Sequence, residues 1–83
     1  MARQRDTNPP EKTFRIGNVS ASVFVNNGSE DREFRSVNVQ RSYMDGDKRK
    51  YVSSFGLADL PNAIRALQLA QSFVENQEAA VET

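Results

Sequence analysis

Thr13–Asn26, TFRIGNVSASVFVN, decides how many strands this chain has. From Val19 onward the residues alternate: Val19, Ala21, Val23 and Val25 share one face, and Ser20, Ser22 and Phe24 share the other. That period of two is the mark of a half-buried strand. Phe14 and Ile16 have the opposite parity. A bulge or bend at Gly17-Asn18 would return them to the apolar side. The segment is therefore one bent strand or two short ones, and the sheet has three strands or four accordingly.

Downstream, Asn26-Asn27-Gly28-Ser29-Glu30-Asp31 reads as a loop, since Asn-Gly adopts positive φ at little cost and the carboxylates stay hydrated. A strand is expected from about Glu33 to Met44, with Val37, Val39 and Tyr43 on one side and Ser36, Asn38, Gln40 and Ser42 on the other. Arg35 and Arg41 share the parity of the valines and belong at the rim of the apolar face. Asp45-Gly46 signals a hairpin, and a basic strand follows from about Lys48 to Phe55, where Gly56 breaks the extended pattern. Asp59 then suits a helix N-cap, with Pro61 tolerated in the first turn.

Along that helix Leu60, Ile64, Leu67, Gln71 and Val74 follow a 3.6-residue period. Ala63, Ala66, Ala70 and Phe73 widen the apolar side, while Leu69 lies off it. Such a surface has more to cover than one small sheet face, so a partner helix is expected. A single helix on a single sheet, with Leu69 loose, is the plainer alternative. The chain after Glu75 is expected to fray. The reading is α+β: an antiparallel sheet of three to four strands, then one C-terminal helix. Its limits are a disordered polar arm over 1–11, a β-β-β(-β)-α domain over 12–76 and a frayed tail over 77–83.

With 83 residues the chain builds one small domain, a size at which a second subunit often completes the core. It has no cysteine, hence no disulfide framework. No apolar run approaches the roughly 18 residues that span a bilayer, and MARQRDTNPPEK lacks the apolar stretch of a signal peptide. A soluble protein of the cytoplasm or nucleoid is expected. The net charge of zero conceals an asymmetry. Residues 12–58 carry eight cations against five carboxylates, net +3, and residues 59–83 carry one against four, net −3. A basic working face with an acidic flank is one reading of this split, and scatter in a short chain is the other.

Catalytic chemistry is poorly supplied. Without histidine or cysteine the commonest general base, the thiol nucleophile and the usual transition-metal ligands are missing. Asp45 and Asp47 fail the calcium-loop pattern, because the twelfth position counted from Asp45 is Gly56, not glutamate. No enzyme, metal or cofactor is expected. What remains is a binding surface: hydroxyls and amides on the second strand, cations opening the third, and Tyr43, Tyr51 and Phe24 among them. Single-stranded nucleic acid is held by that mixture, with cations for phosphates, aromatic faces for bases and polar groups for edges and sugars. Lys48-Arg49-Lys50 also has a bland reading, since cations on an edge strand deter aggregation.

The order of features is similar to that of the positive-cofactor-four family of transcriptional coactivators and their bacterial and phage relatives. The residues that carry the likeness are FRIG at 14–17, the alternating strand with Ser22-Val23, Tyr43-Met44-Asp45 at a turn, the basic strand, and the single C-terminal helix, over residues 13–75. The resemblance implies a strongly curved antiparallel sheet of four strands, split here at Gly17, and helices that pair across a homodimer. It implies binding of single-stranded or unwound DNA with little sequence preference. By position Tyr43 takes the place of a stacking aromatic, Arg49 and Lys50 that of a phosphate-gripping pair, and Arg15 lies inside FRIG. The family's second stacking aromatic has no match after Val25, where Asn26-Asn27 stand.

The expected nucleic-acid site is thus Tyr43, Arg49 and Lys50, supported by Arg41, Lys48, Gln40, Asn38 and Arg15. The expected dimer interface is Leu60, Ile64, Leu67 and Phe73. The expected partners are single-stranded nucleic acid and a second copy, with no membrane or small-molecule substrate. The rival reading is a dimeric protein–protein adaptor whose basic face serves solubility.

Overall fold

The computed structural model describes residues 9–28 and 33–79. The expected arm before Pro9, loop residues 29–32 and the end of the chain from residue 80 lie outside the described residues. Four strands, β1 (Lys12–Ile16), β2 (Val19–Asn27), β3 (Glu33–Asp45) and β4 (Lys48–Val52), precede one helix, α1 (Leu60–Ala79). The strands form an open antiparallel sheet in chain order, an α+β architecture.

Thr13–Asn26 is two strands, not one bent strand. Ile16 pairs with Val19, so Gly17-Asn18 forms a two-residue hairpin connection. Gly17 sits at φ +62°, the left-handed region that glycine enters without a Cβ penalty. The parity conflict thereby disappears: the turn sets Ile16 beside Val19 and Phe14 beside Ala21 on one face. The same device joins β3 to β4, where Asp45 pairs with Lys48 and Gly46 has φ +66°.

Glycine does more at the first turn than at the second. A Cβ on Gly17 would stand 2.7 Å from Nδ2 of Asn62 on α1, whereas a Cβ on Gly46 meets nothing within 4 Å. Gly46→Ala should therefore cost only the left-handed backbone term, about 1–2 kcal/mol. Gly17→Ala carries that term plus displacement of the Asn62 amide, and thermal unfolding should place it below Gly46→Ala in Tm. Equal Tm values would mean that the contact between the turn and the helix contributes nothing.

The core is small side chains in register. Val19, Ala21 and Val23 of β2 are buried beneath Ala63, Ala66 and Ala70 of α1. Alanine at each of these helix positions lets the helix backbone approach the sheet closely. Phe14, Ile16, Val39, Phe55, Phe73 and Val74 surround that centre half-buried. The rings of Phe14 and Phe73 meet edge to face with centroids 6.1 Å apart, a favoured arrangement of their quadrupoles.

Element ends depart from expectation for identifiable reasons. β4 stops at Val52, not Phe55: the Ser54 carbonyl accepts from Arg41 Nε at 2.9 Å and Phe55 turns into the core. Asp59 holds the N-cap position expected of it, since α1 starts at Leu60 and the Asp59 carbonyl accepts the Ala63 N–H at 3.0 Å, but its side chain serves a donor outside the helix. Its carboxylate reaches back to accept the Gly56 N–H at 3.1 Å, while the Gly56 carbonyl accepts from the N–H groups of Asp59 and Leu60. A hydrogen-bonded turn over Gly56–Asp59 thus leads directly into the helix. The helix also continues to Ala79, through the segment expected to fray. Glu78 accounts for this, since its carboxylate accepts the Arg35 backbone N–H at 3.0 Å.

Candidate nucleic-acid interface

Two tight turns make the side-chain direction of every strand residue readable from the register. On the face covered by α1 lie Phe14, Ile16, Val19, Ala21, Val23, Val25, Arg35, Val37, Val39, Arg41, Tyr43, Lys48 and Lys50. On the other face lie Thr13 and Arg15 of β1, Ser20, Ser22, Phe24 and Asn26 of β2, the even-numbered residues from Phe34 to Met44 of β3, and Arg49 and Tyr51 of β4.

The sheet therefore separates the residues expected to act together. Tyr43 pairs with Lys50 on the helix side, and Arg41 and Lys48 accompany them there. Arg49, Gln40, Asn38 and Arg15 stand on the opposite, helix-free face. The single cluster anticipated from Tyr43 and the three following cations is corrected to two groups, because successive strand residues point to opposite faces.

The helix-side group is largely engaged. Arg41 donates through Nε to the Ser54 carbonyl and lies 3.4 Å from Asp59 Oδ2. Its guanidinium carbon is 5.9 Å from the Tyr43 ring centroid, within cation–π range. Asn18 joins the same junction: its backbone carbonyl accepts the Ser42 N–H at 2.9 Å, and its amide reaches the Ser42 carbonyl and Asp59. Arg41 thus ties β3 to the start of the helix. Lys50 stands 3.4 Å from Asp45 in an exposed pair, a kind of contact that contributes little in water.

The helix-free face has a different chemistry. Its strand residues include no carboxylate; hydroxyls and amides fill the middle, with Arg15 on β1 and Arg49 on β4 toward opposite edges. Arg49 Nη1 donates to Ser42 Oγ at 3.1 Å, and Asn26 Nδ2 to Ser36 Oγ at 2.9 Å, so several polar side chains are held in place before any ligand arrives. Tyr51 and Phe34 are 52% and 51% exposed there, enough to present ring surface. Phe34 was not among the expected residues; Tyr51 was expected among the aromatics of the binding surface but without a place in the assigned site. The signal for Tyr51 is the two-residue turn itself, which sets Tyr51 opposite Ser42 and Arg49 opposite Met44.

The opposite end of the molecule is tied by charge. Arg35 makes a bidentate pair with Glu11, Nε to Oε1 at 2.8 Å and Nη2 to Oε2 at 3.1 Å, and Glu78 lies 3.9 Å from Nη1. The hydrogen bond from Arg35 holds the Glu11 carboxyl below its usual range, and the same bond raises Arg35. A lowered folded-state value means that Glu11 stabilises the fold above the ordinary glutamate value of about 4.3. That contribution is lost as pH falls through the folded-state value. Glu11→Gln should therefore lower Tm at pH 7, with the difference from wild type narrowing as pH falls below the ordinary glutamate value of about 4.3. A constant difference across that range would exclude this linkage.

The expected dimer residues also divide. Leu60, Ile64 and Leu67 remain exposed along α1. Phe73 does not join them, because its ring packs on Phe14 within the protomer. Among the described residues no helix is long and apolar enough to cross a membrane. The chain matches no protein-family model, no curated protein and no solved structure.

Proposed function

We propose that the chain binds single-stranded nucleic acid, DNA in the first instance, on the helix-free face of its sheet. Binding has little sequence preference, and the protein acts as a homodimer in the cytoplasm or on the nucleoid. The observation that carries this reading is the composition of that face: strand positions without a carboxylate, two arginines, exposed aromatic rings and a field of hydroxyls and amides. Arg15 and Arg49 take phosphates, Tyr51 and Phe34 stack bases, and Asn38, Gln40 and Ser42 meet base edges or sugars. Tyr43, Lys48 and Lys50 serve the helix side instead. The exposed Leu60, Ile64 and Leu67 suit a partner helix, as the resemblance to the positive-cofactor-four family also implies. No catalytic step is assigned.

Titration of a labelled oligo-dT at two salt concentrations tests the reading. Two phosphate contacts on a single strand predict a log–log salt slope of about −1.4 per site, or about a sevenfold loss of affinity between 50 and 200 mM salt. Absent or salt-independent binding at micromolar protein would end it. The second reading, a protein-docking adaptor, draws on the exposed apolar residues of α1 together with Leu57. It gains only if those residues are essential while oligonucleotides do not bind.

A further inference from the structure

β3 is longer than the strands beside it, and this leaves a backbone edge open. It pairs with β2 along Glu33–Arg41, but with β4 only along Arg41–Asp45. Among the described residues, no strand covers the outer edge of β3 from Glu33 to Gln40. The direction of the backbone groups follows from two observations. Arg35 donates its N–H to a side chain, Glu78, and not to β2; Ser42, of the other parity, donates to Asn18 on the β2 side. Odd-numbered residues therefore point their N–H and C=O groups outward. Glu78 occupies the Arg35 donor, and the groups of Val37 and Val39 face the open edge, with Val37 36% exposed.

We infer that this edge pairs with the same edge of a second copy, antiparallel about a two-fold axis at Ser36. An isologous contact needs a self-complementary strand. About Ser36 the pairs are Glu33 with Val39, Arg35 with Val37, Phe34 with Asn38, and Ser36 with itself. Odd residues then meet odd residues as hydrogen-bonded pairs, and even residues meet even ones as the closer non-hydrogen-bonded pairs. The register stops short of Arg41, which β4 already holds. An axis at Val37 would set Glu33 against Arg41 and collide with Val52. Glu78 yields the Arg35 N–H to the partner's strand.

The exposed stripe of the helix supplies the reason for a second copy over an arbitrary extended peptide. Glu78 faces β3, and Leu60, Ile64, Leu67, Gln71 and Val74 lead to it at helical spacing. The stripe therefore overlooks the same edge, with Val37 and Val39 below it. In the paired sheet three strand spacings, about 14 Å, separate one β2 from the other. Touching helices sit about 8–10 Å apart. Large residues in this stripe span the difference, whereas alanines suffice where α1 rests on its own β2. The result is a continuous eight-stranded sheet, with the helix-free faces of both copies joined across Phe34, Ser36 and Asn38. This deepens the homodimer part of the proposed function and does not depend on nucleic acid.

The chain has no cysteine, so a disulfide probe reads cleanly. In a non-hydrogen-bonded antiparallel pair the Cα atoms lie about 4.5 Å apart, inside the range of about 4.4–6.8 Å that a disulfide bridges. Ser36→Cys in the full chain should form a disulfide dimer in air at least tenfold faster than Asp47→Cys at the exposed hairpin tip. Val37→Pro removes an outward N–H that takes no part in pairing with β2, so it should lose the dimer in analytical ultracentrifugation and keep its far-UV spectrum. Cross-linking of Ser36→Cys no faster than the control overturns the inference, whether or not Val37→Pro folds. So does a Val37→Pro protein that dimerises as wild type. Neither outcome touches oligo-dT binding, so failure here and failure of the nucleic-acid reading remain distinct.

Discussion

Ala66→Leu should be among the most damaging single substitutions in the chain. Ala66 is fully buried at the centre of the contact between α1 and β2, among Val19, Ala21 and Val23. The added carbons have no cavity to enter, because three alanines set the spacing between helix and sheet. Overpacking of this kind costs about 1–3 kcal/mol, and each kcal/mol lowers Tm by about 4–8 °C in a domain of this size. Ser72→Ala, exposed on the same helix, should stay within about 0.5 kcal/mol of wild type. Thermal and urea unfolding followed by circular dichroism measure both. An unchanged Tm for Ala66→Leu would mean that the helix can lift from the sheet, so that the alanine spacing is not what positions it.

The largest effect on binding should come from the charge reversals Arg15→Glu and Arg49→Glu combined. Both side chains stand on the helix-free face. Hydrogen bonds to charged groups contribute about 1.5–3 kcal/mol each, so losing two should weaken oligo-dT binding by at least about 100-fold. The salt slope should fall toward zero, because no counterions are released from those phosphates. Lys48→Glu with Lys50→Glu reverses the same amount of charge on the helix side and should change affinity by less than about threefold. Tyr51→Ala should cost about 1–3 kcal/mol through lost stacking. If the lysine pair abolishes binding and the arginine pair does not, the ligand lies on the side of Tyr43, and the face assigned to it here is wrong.

The order of elements was legible from local chemistry. Asp45-Gly46 marks the second hairpin, alternation marks β2 and β3, and a 3.6-residue period marks α1. The candidate site was legible only in its ingredients. Arg49 and Lys50 are neighbours in the chain yet face opposite sides of the sheet. Tyr43 and Tyr51 likewise stand on opposite faces, so a cluster drawn from proximity along the chain mixes two surfaces. Counting parity through the turn separates them, but it requires knowing that the turn has two residues. Arg41 illustrates a different limit. Its charge suggested a ligand contact, and its use on Ser54 and Asp59 depends on where the chain after β4 turns back.

Some properties of this protein follow from the sequence by itself, because they depend on residues a few positions apart. These are the Asp45-Gly46 turn, the alternation of β2 and β3, the alanine-lined helix, and the lack of histidine and cysteine. Tertiary structure alone decided the side of the sheet on which the β1 and β4 residues stand, and that Arg41 is spent on Ser54 and Asp59. It also decided that Phe73 packs on Phe14, that Glu78 holds the helix end to Arg35, and that β3 outruns β4 to leave an edge. Each of these joins groups far apart in the chain, and their meeting is set by the packing of α1 over β2. Local pattern carries no information about that distance.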